Sequence, residues 1–300
     1  MTQPTEVRVA VASAALLGES PVWHPREQAL YYADIPGHKL QRFDPVSGEL
    51  RHWDFDTDLA SLAPKLDGSL LLAMRDGLWA FDPVSGERSR VAAPPYDTAK
   101  ERFNDGKCDP LGRFWVGTVY EPRDPALASL HRFAHGKLTR EADGFTTVNG
   151  LAWSPNGRTM HWSDTKSHTI FAADFDLGSG TLSNRRVFAS FPVKQADQAL
   201  ATYGGRPDGA AMDAEGCYWV AMFEGQRLLR LSPEGEILRA VELPVRCPTM
   251  PCFGGPDLKT VYVTTSREKR PAAELIDQPF AGCVLAFDVD VPGLPVNFAA

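Results

Sequence analysis

The sequence predicts an all-β fold, a six-bladed β-propeller, and three observations predict it. Short β-type runs recur at blade-length intervals, each is flanked by turns rich in Gly, Asp or Pro, and no stretch carries the apolar period of an amphipathic helix. The runs end at Tyr31-Tyr-Ala-Asp34, Leu71-Leu-Ala-Met74, Trp115-Val-Gly-Thr118, His161-Trp-Ser-Asp164, Trp219-Val-Ala-Met222 and Tyr262-Val-Thr-Thr265, at successive intervals of 40, 44, 46, 58 and 43 residues. That spacing is the length of a four-stranded blade.

The generic repeat is strand, Gly turn, strand, loop, strand, Pro-Gly turn, strand. Lys65-Leu-Asp-Gly68, Asp109-Pro-Leu-Gly112, Ser154-Pro-Asn-Gly157 and Asp213-Ala-Glu-Gly216 supply the first turn. The second turn is identical over seven residues in two repeats, Phe43-Asp-Pro-Val-Ser-Gly-Glu49 and Phe81-Asp-Pro-Val-Ser-Gly-Glu87, with a degenerate copy at Leu231-Ser-Pro-Glu-Gly-Glu236. Two insertions break the pattern: Ala189 to Arg206 in the fourth repeat, and the charged Arg267 to Gln278, expected to form a short helix. Excursions of this kind over a rigid scaffold serve as lids or pocket walls. A blade cannot bury its faces alone, so the ring must close. The early strand Glu6 to Val11 is expected to pair with Val284-Leu-Ala-Phe-Asp288 as the outermost strand of the last blade, making residues 1–300 one domain.

Inside this repeat one slot recurs, five residues before the start of a turn. It holds Glu19, Asn104, Asn149 and Asp208 in four repeats, Ala60 in the second and Met250 in the sixth. In a propeller the innermost strands line a central channel, so residues entering them gather at one mouth. Asn and Asp before strands also form Asx turns, but four in the same register favour a shared site. Two carboxylates and two amide oxygens without Cys or His suit one hard divalent cation such as Ca²⁺ or Mg²⁺, with Zn²⁺, Mn²⁺ or Fe²⁺ as other occupants. Two slots lacking a ligand leave an open coordination side, as a catalytic site requires. Gly106, Gly150 and Gly209 follow three of the four ligands and are expected to let the backbone turn toward the axis. Arg102, two residues before Asn104, points to the same strand face. Glu121 enters the loop after Trp115-Val-Gly-Thr118 as a candidate polar pocket group. The seven histidines show no metal-ligand spacing.

Composition limits the rest. A net charge of −7 offers no basic surface for nucleic acid or anionic lipid, and no apolar run is long enough to span a membrane. Five scattered cysteines without a Cys-x-x-Cys pair are expected to be reduced and buried, in a cytoplasmic protein. Val9 to Leu17 imitates a signal peptide, but its flank is not basic and it runs into Glu19, so an unprocessed chain is expected. A monomer or weak homodimer is anticipated.

At these residues the sequence resembles the SMP-30/gluconolactonase/regucalcin family over nearly its whole length. The resemblance rests on Leu17-Gly-Glu-Ser-Pro-Val-Trp23, Arg102-Phe-Asn-Asp-Gly-Lys107 with Asp109-Pro-Leu-Gly-Arg113, Asn149-Gly-Leu-Ala-Trp-Ser-Pro155, Arg206-Pro-Asp-Gly209 with Asp213-Ala-Glu-Gly216, and Cys252-Phe-Gly-Gly255. It implies a six-bladed propeller with one catalytic divalent ion on Glu19, Asn149 and Asp208, and with Asn104 at the ion or on the substrate beside it. Arg102 matches the family's substrate-contacting arginine, whereas Glu121 falls one place early and Pro122 takes the aligned position. The expected reaction is hydrolysis of a sugar lactone to the aldonic acid, with the ion as Lewis acid and Asp208 as candidate general base. A metal-dependent esterase or organophosphate hydrolase, and a non-enzymatic calcium-binding propeller, are the alternatives.

Overall fold

A computed structural model describes residues 5–300. Six four-stranded antiparallel sheets follow one another along the chain. Their innermost strands are Gly18–His24, Leu59–Pro64, Glu101–Cys108, Val148–Trp153, Arg206–Met212 and Pro248–Gly254, belonging to blades 1 to 6 in that order. Each inner strand packs against the inner strands of the blades on either side, and that of blade 1 packs against that of blade 6. The six sheets are thus arranged about an axis as a closed six-bladed β-propeller.

The apolar residues sort into six buried clusters, and each cluster bridges one pair of neighbouring blades. Trp115 and Leu130 of blade 3 meet Trp153 and Trp162 of blade 4, for example, and Trp23 and Tyr32 of blade 1 meet Tyr262 and Val284 of blade 6. A strand near the axis therefore has a neighbouring sheet on both faces. This explains why Ala29–Asp34 and Leu70–Met74 are buried throughout, while the outer strand Arg88–Ala92 is mostly exposed.

The turns follow from their residues. In the two identical heptapeptides, Val46 N–H donates to Asp44 Oδ1 and Val84 N–H to Asp82 Oδ1, each at 2.8 Å, and Gly48 and Gly86 adopt positive φ of 76° and 77°. Asp109 and Asp213 do more, because both are fully buried. Each accepts backbone N–H bonds across its own turn and an indole N–H from Trp115 or Trp219 at 3.0 Å. Arg113 and Arg230 close these groups with ion pairs at 2.5 and 2.8 Å.

Arg8–Val11 pairs antiparallel with Val284–Asp288 as the outermost strand of blade 6, and Arg8 grips Asp288 through two bonds at 3.0 and 3.1 Å. The chain past Asp288 then crosses the channel end away from the slot residues. Leu294 N–H donates to Met212 O at 3.1 Å, Asn297 Nδ2 to Cys108 O at 3.1 Å and Ala299 N–H to Pro64 O at 2.8 Å, so the strap joins blades 5, 3 and 2. Of the two insertions, the second contains the helix Ala272–Asp277; the first leaves blade 4 after Ser190 and forms a single 3₁₀ turn at Leu200–Thr202. All five cysteines are free and buried, and among the described residues no helix is long and apolar enough to cross a membrane.

Removing residues 1–11 strips the outer strand from blade 6. We expect the melting temperature of that variant to fall by about 5 °C or more in a calorimetric scan. A second expectation concerns His161, which packs on Phe188 with ring centroids 4.7 Å apart. Burial, then the Arg186 charge, lowers its pKa from 6.5 to about 4. The unfolded chain therefore takes up a proton that the folded chain refuses. Stability present above pH 6.5 is lost as pH falls toward 4, at most by about 1.4 kcal/mol per pH unit. Denaturant titrations of His161→Phe across this window should show a correspondingly shallower loss.

Candidate metal and substrate site

Every inner strand slips its register against the next strand at one place, at the slot or directly beside it. Glu19 pairs with Ala33 but the next pair is Val22 with Tyr31; Asn149 pairs with Ser163 but the next pair is Ala152 with His161. In blades 3 and 5 the slot residue itself leaves the ladder. The pairing jumps from Phe103–Thr118 to Gly106–Val116, skipping Asn104, and from Pro207–Met222 to Ala210–Val220, skipping Asp208. Blade 2 skips Ala60 alone. In blade 6 the skipped residue is Thr249, not Met250, which is already back in register with Thr264. Thr249 donates to Gly18 O at 2.6 Å and ties blade 6 to blade 1. A bulge bends its strand and re-aims a side chain that a regular ladder would send into a neighbouring blade.

As the sequence leads one to expect, the three glycines stand where a side chain would obstruct the backbone. Only Gly150 has a left-handed backbone, φ 66°, matched in blade 1 by Ser20 at φ 48°. Gly106 and Gly209 are needed for close approach instead. A Cβ on Gly106 would lie 2.6 Å from Ser61 Oγ of blade 2, and one on Gly209 would collide with the Met250 side chain and sit 2.9 Å from Thr249 O of blade 6. Two buried aspartates fix the loops that enter the site. Asp34 accepts from Leu16 and Leu17 N–H, both at 3.1 Å, ahead of Glu19; Asp164 accepts from Thr146 and Thr147 N–H at 3.1 and 3.0 Å, ahead of Asn149.

Three of the four slot residues are in direct contact. Asn104 Nδ2 donates to Asn149 Oδ1 at 2.6 Å, and Asn149 Nδ2 donates to Asp208 Oδ1 at 2.6 Å and to Thr165 Oγ1 at 2.8 Å. Arg102 Nη1 donates to Asn104 Oδ1 at 2.9 Å, which fixes the orientation of that amide. Glu19 reaches the same group electrostatically. Burial, then the charges of Asp208 and Asp105, raises its pKa well above the usual carboxylate range, against the pull of Ser20 N–H and Arg102. Asp208 is pushed up to about 7 by burial and by Asp105, with Arg206, Arg123 and Arg102 opposing. Like charges in a dry site explain both shifts.

Glu121 lies at the rim and half-exposed, held by two bonds from Arg75 at 2.8 and 3.0 Å, with Arg102 Nε 3.8 Å away. Arg75 also binds Asp58 at 2.7 Å, so the rim between blades 2 and 3 is an ion-pair network. The sequence reading did not single out Arg75, Arg123, Arg206 or Asp105. Asp105 is buried beside Asn104, accepts from Leu151 N–H at 3.0 Å and leaves Oδ1 without a hydrogen-bond partner. Its place in Arg102-Phe-Asn-Asp-Gly was the available signal. Among the described residues no three His, Cys, Asp or Glu side chains converge as ligands; the oxygen set here is two carboxylates with two amides.

Fold and site together define a six-bladed propeller with a buried cluster of oxygen donors at one channel mouth. The SMP-30/Gluconolactonase/LRE-like region matches residues 17–267, and the chain belongs to that family. It is 41% identical over 288 residues to the 6-deoxy-6-sulfogluconolactonase of Pseudomonas putida, covering 96% of each chain. It is 34% identical over 286 residues to regucalcin of Sus scrofa, covering 93% of each. The crystal structure of a calcium-binding protein, regucalcin, from Agrobacterium tumefaciens superposes with a TM-score of 0.92 at 26% identity, over 99% of this chain and 98% of that one.

The close approach at Gly209 makes a specific expectation. Gly209→Ala must displace Met250 or the inner strand of blade 6, which should destabilise the fold by about 1–3 kcal/mol in denaturant titrations.

Proposed function

We propose that the protein hydrolyses a sugar lactone to the open-chain aldonic acid at this channel mouth, with one divalent cation. The observation that carries the reading is the contiguous Asn104–Asn149–Asp208 chain, with Glu19 electrostatically joined to it, inside a family whose members include a named lactonase. The donor set fits a hard cation. All its ligating atoms are oxygen, and burial disfavours the charge of its two carboxylates, a cost that a bound cation would offset. Glu19, Asn149 and Asp208 would hold the ion, with Asn104 on it or on the substrate beside it; Ca²⁺ is the favoured occupant, and Zn²⁺, Mn²⁺, Mg²⁺ or Fe²⁺ the others. When bound, the ion supplies Lewis-acid polarisation of the lactone carbonyl.

The chain's own residues do the rest. Arg102 holds Asn104 by its amide oxygen, which leaves the two side chains facing one substrate edge, where they orient sugar oxygens. Among the described residues only Oδ1 of Asp208 is hydrogen-bonded, so Oδ2 is left for water. Asp208 takes a proton from that water as its oxygen attacks the carbonyl carbon. The tetrahedral adduct then expels the ring oxygen, which receives a proton, and the ring opens to the acid. Burial of the site excludes competing solvent and strengthens every dipole in it.

The test is a pH-indicator assay of metal-stripped protein on a panel of aldonolactones, with each divalent ion added back in turn. We expect metal-dependent acid release. Asp208→Asn and Asn149→Ala should each lower kcat/KM by about 100-fold or more, and both should weaken cation binding by calorimetry. Turnover of aryl esters or phosphotriesters but no lactone would assign the site to a different ester bond, and cation binding without any hydrolysis would make it a binding propeller.

A further inference from the structure

The mouth between blades 3, 4 and 5 gathers several arginines in a protein of net charge −7. Three arginines flank the slot residues: Arg102 donates to Asn104 Oδ1 at 2.9 Å, Arg206 stands two residues before Asp208, and Arg123 reaches the chain just ahead of Asn149. Two of them are answered by carboxylates. Arg102 has Glu121 at 3.8 Å, itself doubly bonded to Arg75, and Arg206 has Glu224 at 2.9 Å, a carboxylate shared with Arg270. Arg123 forms no ion pair among the described residues; its guanidinium donates through Nη1 to the hydroxyl of Thr147 at 2.6 Å. Thr147 is buried and stands two residues before Asn149, on the chain entering the site.

The backbone at Arg123 is built, not loose. Its φ of 66° is a left-handed turn conformation, uncommon for a residue with a side chain. Its N–H donates to Tyr120 O at 2.9 Å, and its carbonyl accepts from the Lys166 ammonium of blade 4, which brings a further positive charge to the same corner. Crowding by the surrounding chain, then Arg102 and Arg206, lowers the Arg123 pKa, with Asp208 and Glu121 opposing. An exposed arginine without an ion pair among the described residues, tied by its side chain to Thr147 on the chain entering the site, is placed to receive negative charge.

We propose that Arg123, set by Thr147, is a specificity-determining residue that binds an anionic substituent of the substrate, a sulfonate, phosphate or carboxylate carried on the sugar lactone away from the reacting carbonyl. This rests on the lactonase reading. A planar guanidinium offers such an oxyanion paired N–H donors, and the flanking Lys166 and Arg206 extend the favourable field. The chain accordingly selects acidic over neutral sugar lactones.

The full-length protein, loaded with its best divalent ion, is assayed on gluconolactone and on the same lactone esterified with phosphate at the terminal carbon. The wild type is expected to favour the phosphorylated lactone in kcat/KM by about tenfold or more, and added salt should narrow that ratio. Arg123→Ala should reduce the ratio by about tenfold or more, through KM for the phosphorylated lactone, and Arg123→Lys should fall between the two. A wild-type ratio near one, or an equal loss on both lactones in Arg123→Ala, overturns the proposal. If no lactone is turned over with any ion, the lactonase reading fails separately. Calorimetric binding of the phosphorylated aldonate then decides the subsite: weaker binding to Arg123→Ala supports it, and equal or absent binding overturns it.

Discussion

Everything in this molecule depends on six inner strands standing close around one axis. A four-stranded blade has two apolar faces and no means of covering them alone, so each of the six clusters exists only because two blades share it. Closing the ring supplies the last interface, between blades 6 and 1, and the N-terminal strand completes the sheet that makes it. Close packing at the axis then dictates local sequence. Gly106 faces Ser61 of the preceding blade and Gly209 faces Met250 of the following one, where a methyl group has no room.

The same closeness sets the electrostatics. Side chains from blades 1, 3, 4 and 5 meet in a space too small to keep them hydrated, so two carboxylates sit where their own charge is disfavoured. Other buried carboxylates are satisfied, Asp109 and Asp213 by arginines and Asp34 and Asp164 by main-chain N–H groups. Stability alone gives no reason to bury Glu19 near Asp208. The cluster departs from the rule the fold obeys elsewhere, and that departure supports the proposed site.

The blade period was readable because turn chemistry is local. Identical heptapeptides make identical turns, and Gly-Asp-Pro punctuation marks strand ends wherever they pack. The slot was readable for a related reason, since a constant offset from a turn becomes a constant position on an inner strand. What escaped were features made by residues far apart in sequence. The strap past Asp288 is held largely by main-chain bonds to Met212 and Pro64, which no side-chain pattern records. Arg75, Arg123 and Arg206 look like ordinary surface cations until the fold brings them to one rim. In blade 6 the residue outside the ladder is Thr249, which reaches Gly18, one place before the Met250 that the turn offset marks.

The slipped register at each inner strand has a consequence for how such a protein changes over time. A residue outside the ladder contributes little to the pairing of its sheet, so its side chain can be exchanged with the blade left whole. Ala60 and Thr249 occupy the same displaced position as Asn104 and Asp208 and bring no carboxylate or amide to it. The axis is thus a six-place holder whose occupants are inherited separately from the scaffold. A new donor set requires substitutions at single positions, not a new fold, and a lineage can explore different chemistry while its blades stay as they are.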